Sequence, residues 1–389
     1  MTAQLNTVWE SPCSFQIPDG VRLPSKEKRM GPPTGPVFPA VELNEDGGFT
    51  LRMLATGAQK VTVGTGFMSV YKFEAELKDR GDGLFECTVP GNENLRGLIN
   101  LNFNVDGVGV VHPNLPAHII GRHLANYVEL PDWETPYAAV RDVPHGTLMQ
   151  EIFWSDTVQS WERCFIYAPP GYLTGSGSYP VLYLQHGAGE NETGWPFSGR
   201  LPYIMDNLIA DGKCVPMLVV MNEGLARVPG QTHINDFEGI EGIICEDCRK
   251  FIESRYRVKT DKWSRAIAGL SLGSMQACYI GMRHPELFSA IGSFTYIRCR
   301  DRAAEYENNP HLDALRDPEQ FWTDYRLFFR SIGDAELHMN EFESDDAFIA
   351  QFGTDKNPGY VRKTYPLMVH DWNCWRRAVA DFLPLLFRW

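Results

Sequence analysis

The sequence predicts two units, a small all-β sandwich followed by a larger α/β unit with a mostly parallel central sheet. Three observations lead there. From Gly48 to Pro113, short runs alternate apolar and polar residues between Gly- and Asp-containing turns. Beyond about residue 145 the rhythm changes to continuous apolar runs separated by helix-length segments, the pattern of strands buried on both faces by crossover helices. The chain is also long enough for two cores, with 389 residues of which 43% are hydrophobic.

The elements follow in order. Residues 1–40, with several prolines and glycines, read as an extended arm. The sandwich takes 41–135, with strands expected at Phe49–Leu54, Lys60–Val63, Tyr71–Leu77, Leu84–Val89 and Leu98–Val111, and turns at Gly81-Asp82-Gly83 and Asp106-Gly107. Between Pro116 and Gly146 the pattern weakens, which places a boundary near 130–145. The α/β unit takes 140–389, with strands at Arg163–Ala168, Val181–Gln185, Met217–Met221, Ala266–Gly269, Ser289–Ser293 and Leu327–Ile332. Helices are expected over Ser274–His284 and near the end, where Trp375, Val379, Phe382 and Leu386 recur at helical intervals.

Composition excludes several classes. A formal charge of -13 without a long basic run argues against nucleic acid as a partner. No apolar stretch is long enough to span a bilayer, so no membrane association is expected, and Met1–Pro18 lacks the basic-then-apolar order of a signal peptide. The expectation is a cytoplasmic protein, or a secreted one if a signal has been removed. Nine scattered cysteines do not form a disulfide framework; Cys245 and Cys248, the one closely spaced pair, are expected to be buried and inert, and no metal site is expected.

The chemistry-bearing stretch is Gly269-Leu270-Ser271-Leu272-Gly273, between an apolar run and a helix. A serine on a sharp strand-to-helix turn needs small flanking residues, because side chains there would meet neighbouring backbone. A serine hydroxyl is a poor nucleophile unless a base removes its proton and backbone donors hold the oxyanion that forms. Upstream, the run Val181–Gln185 enters His186-Gly187-Ala188-Gly189, which offers the Ala188 N–H as one donor; Leu272, the residue after the serine, offers the other. His186 is expected to brace this loop. Downstream, His370 has an apolar run before it and the last helix after it, which makes it the expected base. Asp334 and Glu336 both follow the Leu327–Ile332 strand, where a carboxylate can fix the imidazole tautomer.

From about 145 to 389 the chain resembles the esterase D / feruloyl esterase type of α/β-hydrolase, with acetylxylan and enterochelin esterases among its relatives. The similarity rests on Tyr-Ala-Pro-Pro-Gly-Tyr at 167–172, on His-Gly-x-Gly-Glu-Asn-x-x-x-Trp within Leu184–Trp195, on Ala266–Gly273, and on His370-Asp371-Trp372-x-x-Trp375-Arg376. The front unit is similar to the early-set, immunoglobulin-like and carbohydrate-binding-module-like sandwich that often precedes such a domain. The acid in such proteins frequently stands three residues after a glycine, which favours Glu336 over Asp334. Met368-Val369 replaces the two glycines often found before the base, which implies a narrower pocket there.

The resemblance implies a serine carboxylic-ester hydrolase without metal or organic cofactor, acting on feruloyl or acetyl esters of plant cell-wall sugars. The substrate is then a small-molecule or oligosaccharide ester, and a homo-oligomer is left open. Gly187, Trp195 and Trp372 are the expected substrate-binding residues, the tryptophans as a flat wall for an aromatic acyl group. The alternative reaction is hydrolysis of an anionic siderophore trilactone, which calls for cations near the pocket, around Arg200 or Arg227. The alternative class is an inactive hydrolase serving as a carbohydrate-binding or structural protein. Glycan platforms use exposed tryptophans, and none occurs between Gly48 and Pro113.

Overall fold

The computed structural model describes residues 14–16, 37–66, 69–81, 83–231, 237–298 and 309–389. Most of the arm expected over 1–40 lies outside the described residues, as do parts of the loops at 224–238 and 301–325. The chain divides into two compact units, 1–140 and 141–389.

The first unit is all β. A short antiparallel pair joins β1 (Ser14–Gln16) to β2 (Val37–Pro39). The main sheet holds β3 (Val41–Leu43), β4 (Phe49–Leu54), β5 (Val61–Thr65), β6 (Glu74–Asp79), β7 (Leu84–Val89), β8 (Gly97–Val105), β9 (Val108–Val110), β10 (Ala117–Ile120) and β11 (His123–Leu130). Its order is β10-β11-β8-β5-β6-β7-β4-β3, with β9 on β8. The first half of β6 pairs with β5 and its end pairs with β7, so one strand serves both halves of the sheet. Alternate residues, among them Phe49, Leu51, Val61, Val63, Leu77, Leu101 and Phe103, fill one apolar core. Strands β10 and β11 fall where the sequence pattern weakens, because the last six residues of β11 are all buried and therefore do not alternate.

The second unit is built on one eight-stranded mixed sheet. Its strands are β12 (Thr147–Ser155), β13 (Ser160–Ala168), β14 (Val181–Gln185), β15 (Leu218–Asn222), β16 (Arg265–Leu270), β17 (Ala290–Phe294), β18 (Leu327–Gly333) and β19 (Tyr360–Tyr365). The order is β12-β13-β15-β14-β16-β17-β18-β19. The pairings of β13 with β12 and β15 are antiparallel, and the remaining five are parallel. Strands β14 to β18 are buried at every position, as expected of continuous apolar runs covered on both faces. The edge strands β12 and β19 mix polar and apolar residues, so they leave no continuous apolar run in the sequence.

Helices α1 (Leu201–Ala210), α4 (Leu272–Arg283), α5 (Pro318–Asp324), α6 (Met339–Phe352) and α7 (Trp372–Phe382) are joined by a helical run formed by α2 (Glu238–Gly242), a π segment (Ile243–Cys248) and α3 (Arg249–Arg255). Ile267 and Ile291 of the sheet share a core with Cys278 and Ile280 of α4, whereas Gly292 is backed by Phe382 of α7. Helices therefore cover both faces. The parallel strands all end on one edge of the sheet, and the site lies there. Asp371 caps α7, its carboxylate accepting from Cys374 N–H at 3.0 Å. All seven described cysteines are free and buried, Cys245 and Cys248 among them, and burial pushes the Cys278 thiol up to about 12. No helix among the described residues is long and apolar enough to cross a membrane.

Candidate active site

Ser271 stands between the end of β16 and the first residue of α4, with φ 51° and ψ −119°. A non-glycine residue in this region is strained, and the surrounding packing must hold it. The flanking glycines make that possible. A Cβ on Gly273 would lie 2.4 Å from the His186 carbonyl oxygen, and one on Gly269 would lie 2.3 Å from the Gly273 carbonyl oxygen. Both positions are closed to any side chain, so the turn can form only with glycine at each.

The loop that carries His370 follows β19 and leads into α7. His370 Nε2 lies 2.9 Å from Ser271 Oγ, and His370 Nδ1 is hydrogen-bonded to Glu336 Oε1. The carboxylate accepts from Nδ1–H, which leaves Nε2 as an acceptor for the serine hydroxyl. Glu336 Oε1 also accepts from Thr295 Oγ1 at 2.9 Å, and the Glu336 side chain is only 1% exposed. The imidazole is flanked edge-to-face by Trp375 and His338, each with its ring centroid 5.0 Å away. Asp334, the other candidate acid, is instead turned outward, where its Oδ1 accepts from Leu367 N–H at 2.6 Å and ties down the turn before His370.

On the opposite side, Gly187 packs against the serine. A Cβ there would sit 3.2 Å from Ser271 Cβ and 2.8 Å from Leu270 Cδ1, so the exposed Ala188 that follows borders the nucleophile. Leu272 N–H is the first of α4 and has no acceptor within the helix. His186 spans two loops: its Nδ1–H donates to Gly187 O at 2.8 Å, and its Nε2 accepts from Gly224 N–H at 2.8 Å. Burial depresses it to about 4, so it is a neutral brace. Glu190 folds this loop back on itself, its Oε2 accepting from Gly187 N–H at 3.1 Å, and burial pushes its carboxyl up to about 8.

Trp195 and Trp372 require a correction. Each is only 1% exposed, and they meet edge-to-face at 5.2 Å. The Trp195 indole N–H donates to Gln185 O at 2.9 Å, and Trp372 lies over Gly194, where an added Cβ would come within 3.0 Å of its ring. They are core residues beneath the loop and offer no wall to a substrate. Aromatic residues next to a site in sequence read alike whether they line it or support it, and here the small Gly194 lets the ring pack inward. Thr295 and Glu190 were not singled out from the sequence. Glu190 had a visible signal as the acidic residue of the His-Gly-x-Gly-Glu stretch, whereas Thr295 had none, since only the fold brings the end of β17 to Glu336.

Comparison with known proteins bears on the whole second unit. A family model described as "Putative esterase" matches residues 155–386. The chain belongs to this esterase family. An endo-1,4-beta-xylanase/feruloyl esterase of Xylanibacter ruminicola is 34% identical to the esterase-family chain over 364 residues, covering 91% of it and 46% of the relative. The chain thus spans about half the length of that curated relative. Among solved structures, a ferulic acid esterase of Anaeromyces mucronatus matches 64% of the chain and 94% of its own length at 18% identity and a TM-score of 0.52. The enterochelin esterase of Shigella flexneri matches 90% and 95% respectively, at 15% identity and a TM-score of 0.60. At such identities these likenesses concern the fold, an α/β-hydrolase fold with an all-β unit in front.

Proposed function

We propose that this esterase-family chain is a serine carboxylic-ester hydrolase acting on acyl esters of cell-wall sugars, feruloyl or acetyl. The observation that carries the reading is the hydrogen-bonded series Ser271 Oγ, His370 Nε2, His370 Nδ1 and Glu336 Oε1, closed on a strained turn at the carboxyl edge of the sheet. Ser271 Oγ attacks the ester carbonyl as its proton passes to His370 Nε2. The tetrahedral oxyanion accepts from the N–H groups of Ala188 and Leu272. The C–O bond to the alcohol then breaks, and His370 returns the proton to the departing sugar oxygen. Water, deprotonated by the same imidazole, attacks the acyl-enzyme, and as the bond to Ser271 Oγ breaks His370 returns that proton to Oγ and the acid departs. Glu336 keeps Nδ1 protonated and stabilises the imidazolium in both halves. The sugar-ester assignment draws on the name of the Xylanibacter relative.

A trilactone substrate has less support. Arg200, one position where an anion-binding charge is expected for such a substrate, is 3% exposed and lies over the Tyr203 ring at 5.0 Å, out of reach of an entering anion. The test compares p-nitrophenyl acetate, methyl ferulate, an acetylated xylo-oligosaccharide and a catecholate trilactone with the wild type and Ser271→Ala. Hydrolysis of the first three, lost in Ser271→Ala, is the expected result. Full activity in the alanine variant, or none in the wild type, overturns the reading, and preference for the trilactone reassigns the substrate.

A further inference from the structure

The β12–β13 hairpin carries two tryptophans on its surface. Trp154 and Trp161 are cross-strand partners, 44% and 68% exposed, and meet edge-to-face at 5.6 Å. Ile152, 58% exposed, lies on the same face of β12, and its cross-strand partner is Arg163. Large apolar side chains grouped on a surface in this way mark a binding site more often than scattered ones do.

Register fixes where this patch stands. Cys164 pairs with Asn222 at the end of β15, and Glu223 N–H donates to Arg163 O at 3.2 Å. Trp161 therefore lies beyond the carboxyl ends of the parallel strands, as Ser271 does. In the sheet order, β13 is separated from β16 by three strand spacings, about 14 Å laterally. Side chains of β13 reach the loop that follows β14 and carries Ala188. Arg163 Nε pairs with Glu192 Oε1 at 3.2 Å, and Phe165, on the same face of β13, meets Phe197 at 5.8 Å.

The chemistry of the patch selects its occupant. Trp154 Nε1–H donates to Asp156 Oδ1 at 3.0 Å, which sets that ring's orientation before any ligand arrives, and Gln159 Nε2–H donates to Asp156 O at 2.8 Å within the same turn. An oriented Trp154 ring with Trp161 set edge-to-face beside it, fringed by a carboxylate, an amide and a guanidinium, suits a ligand with flat C–H faces and equatorial hydroxyls. A pyranose chain has that character, and several linked rings extend from the hairpin toward the nucleophile. We propose that Trp154 and Trp161 form a stacking platform for the neutral pyranose main chain that bears the scissile ester. This rests on the reading of the chain as a sugar-ester hydrolase and deepens it.

The experiment uses the full chain and two readouts. Xylohexaose, which carries no ester, is titrated calorimetrically into the wild type, Trp154→Ala, Trp161→Ala, Trp161→Phe and Trp133→Ala, the last altering an exposed tryptophan of the first unit. Each hairpin alanine is expected to weaken binding roughly 3- to 10-fold, whereas Trp161→Phe keeps most of it and Trp133→Ala all of it. In turnover, the alanine variants raise KM for a feruloylated xylo-oligosaccharide by a similar factor and leave methyl ferulate unchanged. Absence of xylohexaose binding to the wild type, binding indifferent to both hairpin tryptophans, or a matching loss on methyl ferulate overturns the platform. So does dimerisation, seen by light scattering, that the alanine variants abolish while xylohexaose is not bound. If the wild type hydrolyses no ester, the esterase reading falls, and the xylohexaose titration still decides the platform.

Discussion

Two carboxylates two residues apart do different things, and the distinction is testable. Glu336 bonds the imidazole and Asp334 bonds the backbone of the following turn. His370→Ala should lower kcat for p-nitrophenyl acetate roughly 10⁴-fold or more, and Glu336→Gln by about 10²- to 10⁴-fold, because the amide can hold the wrong tautomer. Asp334→Asn keeps an acceptor for Leu367 N–H and should stay within a few-fold of wild type. Equal losses in the two carboxylate variants would contradict this assignment. Glu190 yields a pH prediction. Its carboxyl is buried and titrates near 8, above the ordinary carboxylate range, so the folded chain holds a proton that the unfolded chain releases. The resulting stability is fully present below the unfolded value, declines as pH rises above it, and is exhausted once pH passes about 8. Glu190→Gln removes this contribution while keeping an acceptor for Gly187 N–H. Urea midpoints measured from about pH 6 to about pH 9 should therefore fall more steeply for wild type than for the variant, and parallel curves would refute the proton linkage.

At the scale of elements, the turn around Ser271 is a tightly constrained junction. Gly273→Ala places a methyl against the His186 and Gln185 carbonyls and should cost about 1–3 kcal/mol or more. Turnover should fall in the same variant even where circular dichroism shows a folded chain, because the methyl pushes apart the two loops that hold Leu272 and Ala188; retained activity would mean the turn has slack that the geometry denies. This junction was legible in the sequence because glycine spacing reports backbone approach directly. Strands β14 to β18 were legible for a related reason, since burial on both faces leaves an unbroken apolar run. Strands β12 and β19 were not, because an edge strand carries polar residues for solvent, as in Tyr360–Tyr365, where Arg362 and Lys363 sit mid-strand. The sequence order of Ser271, the carboxylates and His370 could be read from the chain. The choice between Glu336 and Asp334 by residue chemistry could not, since it depends on which way the turn after Gly333 points each side chain. The inward packing of Trp195 and Trp372 was hidden for the same reason.

For the whole molecule, the decisive fact is that each compact unit packs apolar residues of its own. One apolar cluster draws its residues from Ala40 to Leu130 and another from Phe153 to Ile349, with no member in common. Apolar burial is the dominant favourable term in folding, so a core inside each of the two units implies two cooperative blocks. Phe49 in the first and Phe288 in the second are both fully buried, and truncating either to alanine should cost about 3–5 kcal/mol within its own block. Calorimetry of the full chain should then resolve two transitions, one lowered by Phe49→Ala and the other by Phe288→Ala. Loss of Ser271-dependent turnover on heating should track the second transition, because Ser271, His370, Glu336 and the Ala188 loop all belong to residues 141–389. A single transition displaced by either substitution would show that the two units melt as one block, and the independence inferred from each unit's own core would be wrong.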